Sequence, residues 1–160
     1  ARFLETNGTW NENCFPYLAE DKPCGDACPN YPNQAYKISD WHSVSSNVEA
    51  IKEALYEYGP LYTAMTVYDD FRRHYQGGIY ELTPGSKRLG GHAITIVGYD
   101  DKEQCFIVKN SWDRLSWDED PLRPWGEAIN GDPGYFRIHY NQMHNSVGFG
   151  RSTIAFVYTP

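Results

Sequence analysis

Two β-type runs, His92 to Tyr99 and Gln104 to Lys109, are separated by only Asp100-Asp101-Lys102-Glu103. A short polar link of this kind closes a hairpin, so the two runs pair antiparallel. Further runs with β-branched and aromatic residues at Gly78 to Leu82, Gly134 to Tyr140 and Ser152 to Tyr158 extend the expectation to a mostly antiparallel sheet in the later half of the chain.

Ahead of the sheet, Ser46 and Asn47 offer N-cap side chains to Val48–Tyr58, in which Ile51, Leu55 and Tyr58 share one helical face, and Gly59-Pro60 stops the run. Leu61 to Val67 then reads as a strand, and Tyr68-Asp69-Asp70-Phe71 as a short helical turn. From Ala1 to about Trp41 the chain is punctuated by Pro16, Pro23, Pro29 and Pro32, which predicts irregular connection that covers and crosslinks. The fold class expected is α+β, with one main helix and irregular loops. At 160 residues and 41% hydrophobic content the chain is expected to bury one core, as a single domain over 1–160.

Composition excludes several functions. A net charge of −7 argues against binding a phosphate backbone. Apolar runs such as Ala93 to Val97 fall far short of the roughly 20 residues that span a bilayer. The opening Ala-Arg-Phe-Leu-Glu-Thr has neither an initiator Met nor an apolar signal core, which is the expectation for a processing site or a boundary inside a longer sequence. Cys14, Cys24 and Cys28 crowd one loop-like region and Cys105 stands apart. One disulfide among the three is expected, its partners left open, with the remaining thiol free, joined to Cys105 or joined to another chain. A zinc site built on these cysteines is disfavoured because no paired CxxC spacing occurs, and the acidic stretch Asp118-Glu119-Asp120 lacks the alternating ligands of a calcium loop. No metal or cofactor is expected.

Of the five histidines, His92 follows Gly90-Gly91 and opens an apolar run. An isolated histidine is more often a structural residue than a catalytic one. The odds change with Asn110, which ends the neighbouring strand, because hairpin pairing can bring its amide beside the imidazole and orient it.

The order Gly91-His92-Ala93, Val97-Gly98-Tyr99, Ile107-Val108-Lys109-Asn110-Ser111-Trp112, Trp125-Gly126-Glu127 and Gly134-Tyr135-Phe136-Arg137-Ile138 closely resembles the carboxy-terminal half of papain-like and cathepsin-like peptidases. Cys14-Phe15-Pro16-Tyr17, Gly59-Pro60, Val67-Tyr68-Asp69-Asp70-Phe71 and Gly77-Gly78-Ile79-Tyr80 extend the match over nearly the whole chain. Each string is weak alone, and together in family order they are a strong signal. The resemblance implies the antiparallel, β-barrel-like half of the papain fold. It implies His92 as catalytic base, Asn110 as its orienting partner, Trp112 as a shield over their hydrogen bond, and Ala64, Gly90 and Gly91 as substrate-binding residues.

The family's nucleophile lies in a Cys-Gly-Ser-Cys-Trp-like string preceded by a glutamine, and neither occurs in these residues. A thiol endopeptidase completed by a cysteine-bearing partner chain or upstream segment is therefore the leading expectation, the chain alone being inert. Exposed apolar surface around His92 and Trp112 makes self-association a further expectation. The alternative is an inactive peptidase-like domain that binds peptides or proteins. A secreted, periplasmic or lysosome-like compartment is implied by the clustered cysteines. The chain departs from the family at Asp113, where glycine is usual, and in added residues between Trp112 and Trp125 and between Glu127 and Gly134. Asp113 and the first insertion are expected to alter the leaving-group side of the cleft, and the two lengthened loops to form either a restricting flap or a docking surface.

Overall fold

A computed structural model describes residues 1–18, 20–29, 35–112, 127–129 and 132–159. Asp113, the insertion between Trp112 and Trp125 and the acidic stretch Asp118-Glu119-Asp120 lie outside them. The chain divides into two compact units, one formed by Ala1–Trp41 with Phe156–Pro160 and the other by His42–Ala155.

The first unit is built from loops and crosslinks. A helix α1, Arg2–Thr6, buries none of its residues. Thr9 and Tyr36 form a β-bridge, and Ser39 N–H donates to the Val157 carbonyl at 2.8 Å. Cys14 and Cys28 form the disulfide, supported by a backbone bond from Cys28 N–H to the Cys14 carbonyl at 3.0 Å. The open question of pairing is thereby answered, and Cys24 remains an exposed thiol.

In the second unit α2 spans Val48–Tyr58, between the cap and the stop expected. Asn47 is the N-cap, its Oδ1 accepting from Ala50 N–H at 2.9 Å. Gly59, at φ +79°, reverses the chain where an L side chain would be strained. Ile51 and Ala54 are buried, with Val48, Leu55 and Tyr58 packed partly against the core. Asn47→Ala should destabilise the fold by about 1 kcal/mol, read from the urea midpoint, because a first-turn N–H loses its acceptor. A change within error would mean that water caps the helix equally well.

The strands are β1 (Asp40–Val44), β2 (Leu61–Tyr68), β3 (Ile79–Tyr80), β4 (Arg88–Asp100), β5 (Cys105–Lys109), β6 (Glu127–Ile129), β7 (Asp132–His139) and β8 (Thr153–Val157). Among the described residues they form one sheet in the order β1-β8-β2-β4-β5-β7-β3, with β6 added to β7. β2 pairs antiparallel with β4 and β8, β5 with β4 and β7, and β6 with β7, while β3 and β7 are parallel. The architecture is α+β, as expected.

The β4–β5 turn is made by Asp100, whose carboxylate accepts the N–H groups of Lys102 and Glu103 at 2.9 and 3.1 Å. Alternation along β2 buries Leu61, Thr63, Met65 and Val67. These face Ile94 and Ile96 of β4, Phe106 and Val108 of β5, and Phe136 and Ile138 of β7, all buried in one core. Between β2 and β3 the chain makes a single π turn, Asp70–His74, where a short helical turn was expected. Its Phe71 is fully buried against Tyr75, Tyr80 and Phe136.

Candidate active site

The ladder between β4 and β5 explains how two residues eighteen positions apart meet. Thr95 pairs with Lys109, so one further step places Asn110 opposite Ile94. Ile94 and His92 lie on the same face of β4, because side chains alternate with period two. Asn110 therefore reaches diagonally to His92, and its Oδ1 lies 2.7 Å from His92 Nε2. Asn110 itself is pinned by a bond from its N–H to the Gly134 carbonyl at 2.8 Å. Gly134 has φ +91° and lies close under the Asn110 and Trp112 carbonyls, a position that strains any L side chain.

The amide's orientation settles the imidazole's tautomer. Asn110 Oδ1 also accepts the Ser111 N–H at 2.8 Å, so this atom is the oxygen and His92 Nε2 must donate to it. Neutral His92 thus carries its proton on Nε2 and a lone pair on Nδ1. Among the described residues, Asn110 Nδ2 is buried with no hydrogen-bond partner.

Trp112 stacks on His92, centroids 4.3 Å apart and planes 21° from parallel. Phe71 supports the indole from the core at 6.0 Å. Arg72, on the π turn, holds its guanidinium carbon 4.8 Å from the indole centroid. Sequence reasoning missed Arg72, since its neighbours in the chain carry no sign of what the π turn brings beside it.

Burial lowers the proton affinity of His92 below its ordinary value of 6.5, the Asn110 bond opposes that, and the Arg72 charge adds to the lowering. Below about pH 6.5 the unfolded chain therefore binds more protons at this site than the folded chain. This contribution to stability is present in full above pH 6.5 and is lost as pH falls through that value toward the lower folded midpoint. His92→Gln should shrink the loss of urea stability between pH 7.5 and pH 5. An equal loss in both proteins would contradict the assignment.

The expected substrate-binding residues lie on the adjoining β2–β4 ladder. Gly91 pairs with Thr66 and Gly90 with Val67, and a Cβ on either glycine would meet open space. Ala64 pairs with Ala93, which places it on the face of the ladder opposite to His92. Cys105 is fully buried at the far end of β5, about 16 Å of strand from Asn110. It is out of reach of the imidazole.

With this geometry, a family model described as papain family cysteine protease matches residues 1–156. Cathepsin B-like CP3 of Giardia intestinalis is 36% identical over 163 residues, spanning 96% of this chain and 48% of the relative. Cathepsin B-like protease 1 of Arabidopsis thaliana is 30% identical over 173 residues, spanning 96% of this chain and 41% of the relative. Among solved structures, procathepsin B S9 of Trypanosoma congolense superposes with TM-score 0.73 at 22% identity, covering 99% of this chain and 52% of that one. Xylellain, a cysteine protease from Xylella fastidiosa, gives 0.70 at 23% identity, covering 99% and 60%. The chain spans about half the length of the relatives it matches. The family match over residues 1–156 and the likeness to these relatives agree, and the chain belongs to the papain family of cysteine proteases.

Proposed function

We propose that the chain contributes the base and the orienting amide of a cysteine endopeptidase, with the nucleophilic thiol supplied by a segment outside these 160 residues. The observation that carries this is the 2.7 Å bond from His92 Nε2 to Asn110 Oδ1 under a stacked indole. It leaves Nδ1 as the basic nitrogen.

In such an enzyme the thiol passes its proton to Nδ1, and the thiolate attacks the peptide carbonyl carbon to give a tetrahedral adduct. The imidazolium then returns the proton to the leaving amine as the C–N bond breaks and a thioester forms. Water, losing a proton to Nδ1, hydrolyses the thioester and restores the thiol. Asn110 keeps the imidazole in the productive tautomer throughout, the part an aspartate plays in serine peptidases. Gly90 and Gly91 are proposed to border the substrate beside His92, and Ala64, on the other face of the β2–β4 ladder, to leave room for a bulky side chain there.

Among the described residues Cys14 and Cys28 are joined to each other, Cys105 is buried, and Cys24 is an exposed thiol in a proline-broken loop; the lack of a Cys-Gly-Ser-Cys-Trp-like string around any of them supports a thiol from elsewhere, on a partner chain or a contiguous segment. The disulfide supports a secreted, periplasmic or lysosome-like compartment, where thiols oxidise. No helix of the described residues is long and apolar enough to cross a membrane.

The protein isolated from its source, assayed on a fluorogenic peptide amide, should hydrolyse it and be blocked by a thiol-reactive epoxide. The 160-residue chain alone should not hydrolyse it. Peptide binding without hydrolysis by the isolated protein would favour an inactive, peptide-binding member of the family.

A further inference from the structure

Arg72 has no place in the steps above, yet its side chain is half-buried and touches the same indole that lies on the imidazole. The indole centroid is 4.3 Å from the His92 ring and 4.8 Å from the guanidinium carbon, so the charge sits within about 9 Å of the imidazole. The indole that both groups touch is apolar, which weakens screening relative to water.

We propose that Arg72 is a positioning residue for His92, its guanidinium covering Trp112 and holding the indole flat on the imidazole, while its fixed charge resists a second positive charge on that ring. The guanidinium suits both tasks. It stacks on aromatic faces through its plane and stays charged throughout the working pH range.

Met65, paired with His92 on β2, the Asn110 amide and the Trp112 indole carry no charge, and among the described residues the charge that acts on His92 is that of Arg72. The acidic neighbours on the same turn are engaged elsewhere. Asp70 accepts from the Thr83 N–H and the Tyr80 hydroxyl at 2.8 and 3.1 Å, and Asp69 accepts from the Lys87 N–H at 2.8 Å. The π turn thus faces its cation toward the site and binds its carboxylates into the Thr83–Lys87 loop.

The bearing on catalysis rests on the peptidase reading. A cation beside the imidazolium makes it a readier proton donor to the leaving amine and brings its deprotonation to lower pH. The alkaline limb of kcat/KM would then be set partly by Arg72.

The test is proton NMR titration of His92 in the 160-residue chain, its resonance assigned with His92→Gln, for the native protein, Arg72→Gln and Arg72→Lys. At no more than about 9 Å in a partly screened site, loss of the charge should raise the His92 midpoint by about half a pH unit in Arg72→Gln. Arg72→Lys should hold the midpoint at its native value, which distinguishes charge from packing. Equal midpoints in all three proteins would overturn the inference, and so would equal rises in both variants. A rise confined to Arg72→Gln, in a protein whose complete form hydrolyses no peptide, would uphold Arg72 and sink the peptidase reading.

Discussion

His92→Ala should lower kcat/KM of the complete peptidase by about 10⁶-fold, the scale on which a triad-type enzyme loses activity when its base is removed. On the proposed mechanism the imidazole is both the acceptor of the thiol proton and the donor to the leaving amine, so both halves of the reaction would fail together. The loss should appear in kcat rather than in KM, because the ring is not placed to bind substrate uniformly. The fold should survive, since the Ser111 N–H keeps Asn110 Oδ1 as its acceptor and the core residues Ile94 and Ile96 of β4 are untouched. Initial rates on a peptide amide, normalised to folded protein by circular dichroism, check this. A loss smaller than about tenfold would place the catalytic base elsewhere.

Phe71→Ala should destabilise the chain by about 3–5 kcal/mol, the range for deleting a fully buried phenyl ring. Phe71 is wholly inaccessible, with ring centroids of Tyr80 at 4.7 Å, Phe136 at 4.8 Å, Tyr75 at 5.6 Å and Trp112 at 6.0 Å. The four surrounding aromatic rings cannot close over the gap without leaving their rotamers, so a cavity remains. A domain of this size is stable by about 5–15 kcal/mol, so the loss is a large part of the whole. Urea unfolding followed by tryptophan fluorescence reads it. Phe71→Leu should cost less, and a loss below about 1 kcal/mol for Phe71→Ala would mean that the cluster repacks.

What could be read from the sequence was local. Asn47, Gly59 and Pro60 act within a turn of α2, and the helix runs Val48–Tyr58 as its caps predict. Asp100 organises its own turn, so the β4–β5 hairpin, and with it the meeting of His92 and Asn110, followed from spacing and parity. Family order then supplied roles that spacing alone does not. Other features depend on partners distant in the chain. α1 buries nothing, so no apolar face betrayed it. β1, Asp-Trp-His-Ser-Val, lacks an alternating pattern, and the parallel register of β3 on β7 joins segments with no shared turn. The choice of Cys28 over Cys24 as the partner of Cys14 and the approach of Arg72 to Trp112 are likewise tertiary facts. Ala64 was placed by resemblance, and strand parity puts it on the face away from His92.

The most direct test of the account is to label the protein from its source with a thiol-reactive epoxide peptide at mildly acidic pH, reduce it, separate the chains and map the modified cysteine. The account predicts one labelled cysteine outside these 160 residues, on a second chain or on an extension of this one, with labelling lost in His92→Ala. Label on Cys24 or Cys105, or no label beside a competent control enzyme, would contradict it.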